Sequence, residues 1–301
     1  MVRVQGKRME FISINEHFLG LKMSSDNRIE QHITAATNGQ SAVDILSQNT
    51  GLSKQRIKLA MKHGAVWIER GTQKIQRLRR AKQLIKQGEI LHIYYDAELI
   101  ATPATPSELI YDKSAYSIWY KPQGILSQGS KWGDHHTINR WAEQNLQPQR
   151  PAFIVHRLDK AARGLMILAH KKQTATQFSD LFEKRQIEKH YQVVVHGRFP
   201  SETQTMTTNI DERSAMTHAK LLEYDIKKDR SLIDVNIETG RKHQIRKHLQ
   251  ELGFPVVGDR LYGKEDDIED LQLASFSLAF ICPITQEQKY YTLPKDKQLT
   301  L

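Results

Sequence analysis

Residues 232–252 read Leu232-Ile233-Asp234-Val235-Asn236-Ile237-Glu238-Thr239-Gly240-Arg241-Lys242-His243-Gln244-Ile245-Arg246-Lys247-His248-Leu249-Gln250-Glu251-Leu252. Leu232 to Ile237 predict a strand, in which β-branched Ile233, Val235 and Ile237 alternate with polar Asp234 and Asn236. Gly240 turns the chain. Lys242 to Leu252 then places Ile245, Leu249 and Leu252 at helical core spacing. A strand thus runs through a glycine turn into a helix that opens with Arg241, Lys242, Arg246 and Lys247. Helix N-termini offer free N–H groups to anions, so this segment reads as a phosphate or carboxylate site, or as a solvated basic helix.

Working outward, Tyr116-Ser117-Ile118-Trp119-Tyr120 and Gln192-Val193-Val194-Val195 also predict strands. Thr174 to Lys184 predicts a helix with Phe178, Leu181 and Phe182 on one face. Strands and helices mix without regular βαβ alternation, which argues for an α+β fold. Nearer the N-terminus, Ser41 reads as the cap of a short helix and Ser53 as the cap of a second, Lys54 to Lys62, closed by Gly64. Ala65-Val66-Trp67-Ile68 and Ile90-Leu91-His92-Ile93-Tyr94-Tyr95 predict two more strands. Between them lie Arg70, Lys74, Arg77, Arg79, Arg80, Lys82 and Lys86, opposed nearby only by Glu69. With Lys54, Arg56, Lys58 and Lys62 they suit a phosphate-binding surface or a solvated basic face. Pro103 and Pro106 mark a linker. The expected divisions are an extension over 1–40, a small unit over 41–96, a linker over 97–110 and a large unit over 111–301.

The chain has 301 residues, 44 Lys and Arg against 34 Asp and Glu, and a formal net charge of +10. Nucleic acid is the usual partner of a chain this basic. No apolar run approaches the roughly 20 residues of a membrane helix, and no signal peptide is evident. The expectation is a cytoplasmic protein. Cys282 is the single cysteine, which excludes an intramolecular disulfide and a zinc–thiolate cage.

Two further segments bear on chemistry. In Ile154-Val155-His156-Arg157-Leu158-Asp159, Arg157 and Asp159 stand two apart and would share a face of an extended chain. They read as a cleft pair or as a loop-end ion pair. Asp134-His135-His136 with His156 could suggest a metal site, but adjacent histidines point apart and no i, i+4 pair supports them.

Taken together, His156-Arg157-Leu158-Asp159, Gly164-Leu165, Arg185 with Lys189-His190-Tyr191, Thr239-Gly240-Arg241-Lys242-His243-Gln244-Ile245-Arg246 and Gly258-Asp259-Arg260-Leu261-Tyr262-Gly263 resemble the RluA-type pseudouridine synthase family, in its order and spacing. Lys121-Pro122-Gln123-Gly124 resembles the family's Lys-Pro-x-Gly strand. The resemblance spans about residues 111 to 290. Residues 41 to 96 resemble the alpha-L RNA-binding module named for a ribosomal small-subunit protein.

The resemblance implies a catalytic domain built on a mixed, largely antiparallel sheet with flanking helices. It implies an isomerase that converts uridines of ribosomal or transfer RNA to pseudouridine after base flipping, as a monomer, without metal or redox cofactor. Asp159 resembles the family's catalytic aspartate, Tyr191 its active-site tyrosine and Arg241 the basic residue paired with that aspartate. Arg157 resembles the residue that fills the gap left by the flipped base, and Ile245 an apolar position that encloses it. Arg246, Lys54, Arg56 and Lys58 are expected to bind RNA. The chemistry suits these roles: a base trapped in structured RNA must be extruded, a carboxylate attacks only when ionised, which a neighbouring guanidinium favours, and an aromatic face can hold a detached uracil. Ala162 and Arg163 replace the family's usual hydroxyl residues, and Ile125 to Lys131 departs from its usual histidine-proline continuation. A non-catalytic RNA-binding protein and a metal-dependent nuclease are the rivals; the joint presence of Asp159, Tyr191 and Arg241 argues against the first, and the second would need metal.

Overall fold

A computed structural model describes residues 28–301. Residues 1–27 of the expected extension lie outside the described residues.

The first unit holds β1 (Arg28–Thr34), α1 (Ala42–Thr50), α2 (Lys54–Lys62), β2 (Val66–Glu69), β3 (Gln76–Arg77), β4 (Ile90–Asp96) and α3 (Ala97–Ala101). Ser41 and Ser53 cap the two longer helices, their hydroxyls accepting from the amides of Asp44 and Arg56, as small polar caps do for otherwise unpaired N–H groups. Ile45 and Leu46 of α1 and Ile57, Ala60 and Met61 of α2 are buried with Val66, Ile68, Leu91 and Ile93 of the sheet. The strands follow the order β1-β4-β2-β3, all antiparallel.

Two boundaries differ from the expectation. The extension was expected to run to residue 40, but Arg28–Thr34 is an edge strand paired along the whole of β4. Only Ile29 and Ile33 pack inward from it, and that sparse apolar content hid it. The linker expected over 97–110 is shorter, because α3 and the start of β5 occupy its ends.

The second unit holds β5 (Glu108–Asp112), β6 (Tyr116–Lys121), α4 (Ile138–Asn145), β7 (Phe153–Ile154), β8 (Arg163–Ala169), α5 (Lys172–Glu183), β9 (Glu188–His196), β10 (Gln204–Met206), β11 (Thr217–Asp225), β12 (Arg230–Ile237), α6 (Gln244–Glu251), β13 (Leu273–Ile281) and β14 (Gln288–Thr292). The sheet runs β10-β11-β12-β9-β13-β8-β6-β5, with β14 beside β13 and β7 beside β8. It is antiparallel except where β8 meets β13, a mixed sheet in an α+β fold as expected. Alternate residues serve two cores. Met166, Leu168, Tyr191, Val193, Val195, Ile233 and Val235 face α4 and α6, whereas Leu165, Ile167, Val194 and Leu232 pack with Phe178 of α5. Burial on both faces explains the unbroken apolar run of β8. At the β8–β13 crossing, Gly164 (φ +119°) lies so close that a Cβ would meet Ser275 N and O at 2.4 Å. No helix among the described residues is long and apolar enough to cross a membrane.

The loop before α4 joins the units. Asp134 accepts from Arg79 and forms an ion pair with Arg77, and its amide donates to His63 O at 2.9 Å. The rings of His63 and His135 stack at 3.9 Å, and Trp67 Nε1 donates to Lys131 O at 3.0 Å. The side chains weighed as a metal cluster are therefore used in docking, and His156 lies elsewhere, its Nε2 accepting from Ile167 N at 2.9 Å.

Replacing Asp134 with Ala should weaken this docking by about 1–3 kcal/mol, because two partly buried guanidinium groups lose their carboxylate partner. A broad-specificity protease should then cut residues 102–107 faster, while melting of the second unit stays unchanged. Equal cleavage rates in wild type and Asp134→Ala would show that other contacts carry the docking.

Candidate active site

The Asp159 loop is held from beneath by Lys121 at the end of β6 and by Gly124 and Ser127 after it. Ser127 Oγ accepts from Leu158 N at 2.9 Å and donates to Leu158 O at 2.8 Å. Gly124 N donates to Lys160 O at 2.9 Å. Lys121, fully buried, donates from Nζ to Ala162 O at 2.7 Å and to Pro122 O at 3.0 Å. The departures noted in the sequence thus have structural uses: Ser127 clamps the loop, and Ala162 is a buried wall of the cavity. Burial pulls the Lys121 amine down to about 7, against the upward pull of Asp159.

The opposite wall is the turn from β12 into α6. Gln244 is its staple. Its Oε1 accepts from Arg241 N (3.0 Å) and Thr239 Oγ1 (2.7 Å), and its Nε2 donates to Met216 O (2.9 Å) and Thr217 Oγ1 (3.0 Å). The helix opens at Gln244 rather than Lys242, because His243 adopts a left-handed conformation (φ 56°). That conformation is uncommon for a residue with a Cβ. It brings His243 Nε2 to 3.8 Å from Asp159 Oδ2 and Nδ1 to 3.1 Å from the Tyr262 hydroxyl. Burial lowers the His243 pKa despite Asp159, favouring the neutral ring.

Arg246 carries the central ion pairs. Its Nε and Nη2 donate to the two oxygens of Asp259 at 2.6 Å each, and Nη1 donates to Asp159 Oδ2 at 3.3 Å. The side chains of Arg246 and Asp259 are 5% and 0% exposed, that of Asp159 22%. Burial raises the Asp259 pKa, but Arg246 and the amides of Leu261 and Tyr262 outweigh it and hold the carboxyl below its usual value.

Arg241 had been expected to pair with Asp159, and Arg246 to bind RNA. The structure pairs Arg246, and not Arg241, with Asp159. Arg241 Nε turns outward to Ser214 O at 3.1 Å, whereas Arg246 is buried and bound to both carboxylates. The signal was present in the sequence: Arg246 stands three before Leu249, inside the apolar stripe of Ile245, Leu249 and Leu252, where a charge needs a buried partner.

Asp159, Tyr191, Arg157, Ile245, Arg241 and Arg246 all line one cavity of about 280 Å³. Tyr191 is 7% exposed and Ile245 5%. Burial, then the charge of Asp159, pushes the Tyr191 phenol up, so it stays protonated at neutral pH. Arg157 is exposed at the rim. Lys54, Arg56 and Lys58 are exposed on α2 of the first unit, away from this cavity, and Lys54 pairs with Asp44 at 2.6 Å. The site thus presents a carboxylate with one oxygen bound by a guanidinium, an aromatic wall and an apolar wall.

A family model described as RNA pseudouridylate synthase matches residues 115–251. An RNA pseudouridine synthase of Chloroflexus aurantiacus is 30% identical over 255 residues, covering 74% of this chain and 78% of that one. Ribosomal large subunit pseudouridine synthase D of Borreliella burgdorferi is 31% identical over 226 residues, covering 64% and 67%. The structure of Human RNA Pseudouridylate Synthase Domain Containing 1 superposes with a TM-score of 0.54 at 21% identity, covering 64% of this chain and 86% of that one; this likeness speaks to the fold.

The buried Lys121 predicts a pH-dependent stability. Its folded pKa of about 7 lies below the ordinary 10.5. Between those values the unfolded chain binds a proton that the folded chain does not, so stability rises with pH, by up to about 1.4 kcal/mol per unit. The difference in unfolding free energy between wild type and Lys121→Met should therefore shift in favour of wild type between pH 7 and 9.5. Parallel curves for the two proteins would mean that the amine stays charged throughout.

Proposed function

The chain belongs to the RluA-type RNA pseudouridylate synthase family and is an RNA-modifying isomerase; from that premise we propose that it flips specific uridines out of structured RNA and isomerises them with Asp159 as nucleophile. The target class is ribosomal RNA, as the name of the Borreliella relative says of that protein, with transfer RNA as the alternative. The enzyme acts as a monomer in the cytoplasm.

The reaction conserves atoms. The Asp159 carboxylate adds to ribose C1′ as the C1′–N1 electron pair leaves with the uracil. The base rotates, C5 attacks C1′ and displaces the carboxylate, C5 loses its proton, and N1 gains one. The observation that supports this reading is the Arg246 fork: Asp259 fixes the guanidinium, which binds one Asp159 oxygen and leaves the other open to the cavity. Tyr191, kept neutral, serves as the face over which the uracil turns rather than as a base. Ile245 closes the other side. Arg157, exposed beside the cavity, fills the gap that the extruded base leaves. Residues 41–96 act as an alpha-L RNA-binding module. Its exposed cations Arg56, Lys58, Lys62, Lys74, Arg80, Lys82 and Lys86 have no ion-pair partner among the described residues.

Pseudouridine mapping of total RNA from cells with and without the protein should reveal positions that disappear in its absence. Asp159→Asn should restore none of them while binding RNA as tightly as wild type, because the amide keeps the shape and loses the nucleophile. Turnover by the Asn variant at the wild-type rate would remove Asp159 from the mechanism.

The two arginines of the turn should separate in kinetics. Arg246→Met should lower kcat by about a hundredfold or more, on the scale of losing a preorganised charge in a dry site, with RNA affinity little changed. Arg241→Met should weaken RNA binding and leave kcat near wild type. The reverse pattern would restore Arg241 as the partner of Asp159.

A further inference from the structure

A second cavity, of about 410 Å³, adjoins the first and shares with it Arg157, Tyr191, Ile237, Gly240 and Arg241. Its other walls include Phe182, Arg185 and Lys189. Lys189 stands two residues before Tyr191 in β9, so both side chains leave the same face of the sheet. Lys189 is 7% exposed. Among the described residues its Nζ has neither a hydrogen-bond acceptor nor an ion-pair partner; what lies beside it is the Phe182 ring, at 5.8 Å. That ring stacks on His156 at 4.5 Å. Burial and the nearby charge of Lys189 push His156 down to about 3, so it stays neutral and adds no counter-charge. Burial, then Arg185, pulls the lysine below its ordinary pKa. Glu183 and Glu238 also line the cavity, but Glu238 binds His218 at 3.1 Å and neither reaches Lys189.

An ammonium held in a cavity wall without an acceptor is costly to the folded chain. Such a group is retained where an external anion completes it. We propose that Lys189, with Arg185, forms a phosphate site that takes the phosphodiester next to the nucleotide held over Tyr191. This rests on the reading of the chain as an RNA-modifying enzyme and adds the group that sets the register of the strand in the cleft. Phosphate contacts position a nucleic acid without reading its sequence, so this site orients whichever uridine is flipped.

The test uses the full chain, a poly(U) oligonucleotide and a salt titration of its binding. Lys189→Met should bind poly(U) about tenfold more weakly at low salt. Its slope of log affinity against log salt should be smaller by about 0.7, one phosphate contact to a single strand. Lys189→Arg should keep the wild-type slope. The Met variant should also melt at the same temperature as wild type or higher, because an uncompensated charge has been replaced by an apolar side chain. Unchanged slope and affinity would overturn the site, and so would a lowered melting temperature, which marks Lys189 as a structural residue. Inorganic phosphate at matched ionic strength distinguishes the source of the anion. If phosphate raises the wild-type melting temperature but not the variant's, while both bind poly(U) alike, the occupant is a free small anion and the RNA contact falls. These binding outcomes are independent of whether pseudouridine mapping identifies a target, so the site and the reaction can fail separately.

Discussion

The two carboxylates that meet at Arg246 come from distant parts of the chain, Asp159 before β8 and Asp259 after α6, and one guanidinium cannot satisfy both equally. Asp259 takes the short bidentate fork and is wholly buried; Asp159 takes a single longer bond and faces the cavity. Bidentate pairing fixes the orientation of a guanidinium as well as its charge. Asp259 therefore acts as the anchor, and Arg246 leans on Asp159 without enclosing it. Removing water strengthens this fork, and the excess negative charge is left at Asp159, the most exposed member of the trio.

Holding that geometry requires the sheet to be covered on both faces. The Asp159 loop leads into β8, whose residues feed two cores, and α6 is pressed onto one of them by Ile245 and Leu249. The close crossing at Gly164 lets β8 and β13 run side by side immediately after the loop. Lys121, Gly124 and Ser127 then tie the loop to the chain beneath it through its own backbone groups. Such bonds depend on backbone position and not on loop side chains, which is why Ala162 can occupy a place where hydroxyl residues are usual without loosening the loop.

Sequence reading worked where one local rule dominated. The residues of α2 were legible from Ser53, the apolar spacing and Gly64, because capping and periodicity agree there. Asp159 and Tyr191 were legible as members of a family pattern, and the cavity holds both. The partner of Asp159 was misread because two arginines stand five apart and local sequence does not say where the helix begins. The left-handed His243 moves the first turn to Gln244, points Arg241 outward and rotates Arg246 inward. Strand β1 was missed for a different reason: an edge strand buries one face at two residues, so its alternation is mostly polar.

A basic composition also overstates the surface open to nucleic acid. Arg77 and Arg79 lie in the most basic stretch of the chain, yet both turn inward to Asp134 and join the two units. Arg70 is bound by Glu89 and Arg246 by two aspartates. Among the described residues, the cations without such partners include two groups, one on α2 and the segment after β2, the other around the cavities on either side of Tyr191. The docking loop fixes the first group relative to the second. A bound strand that met both would be held at two points joined by the Asp134 contacts, and less of the ordering entropy of a free linker would have to be overcome at each encounter.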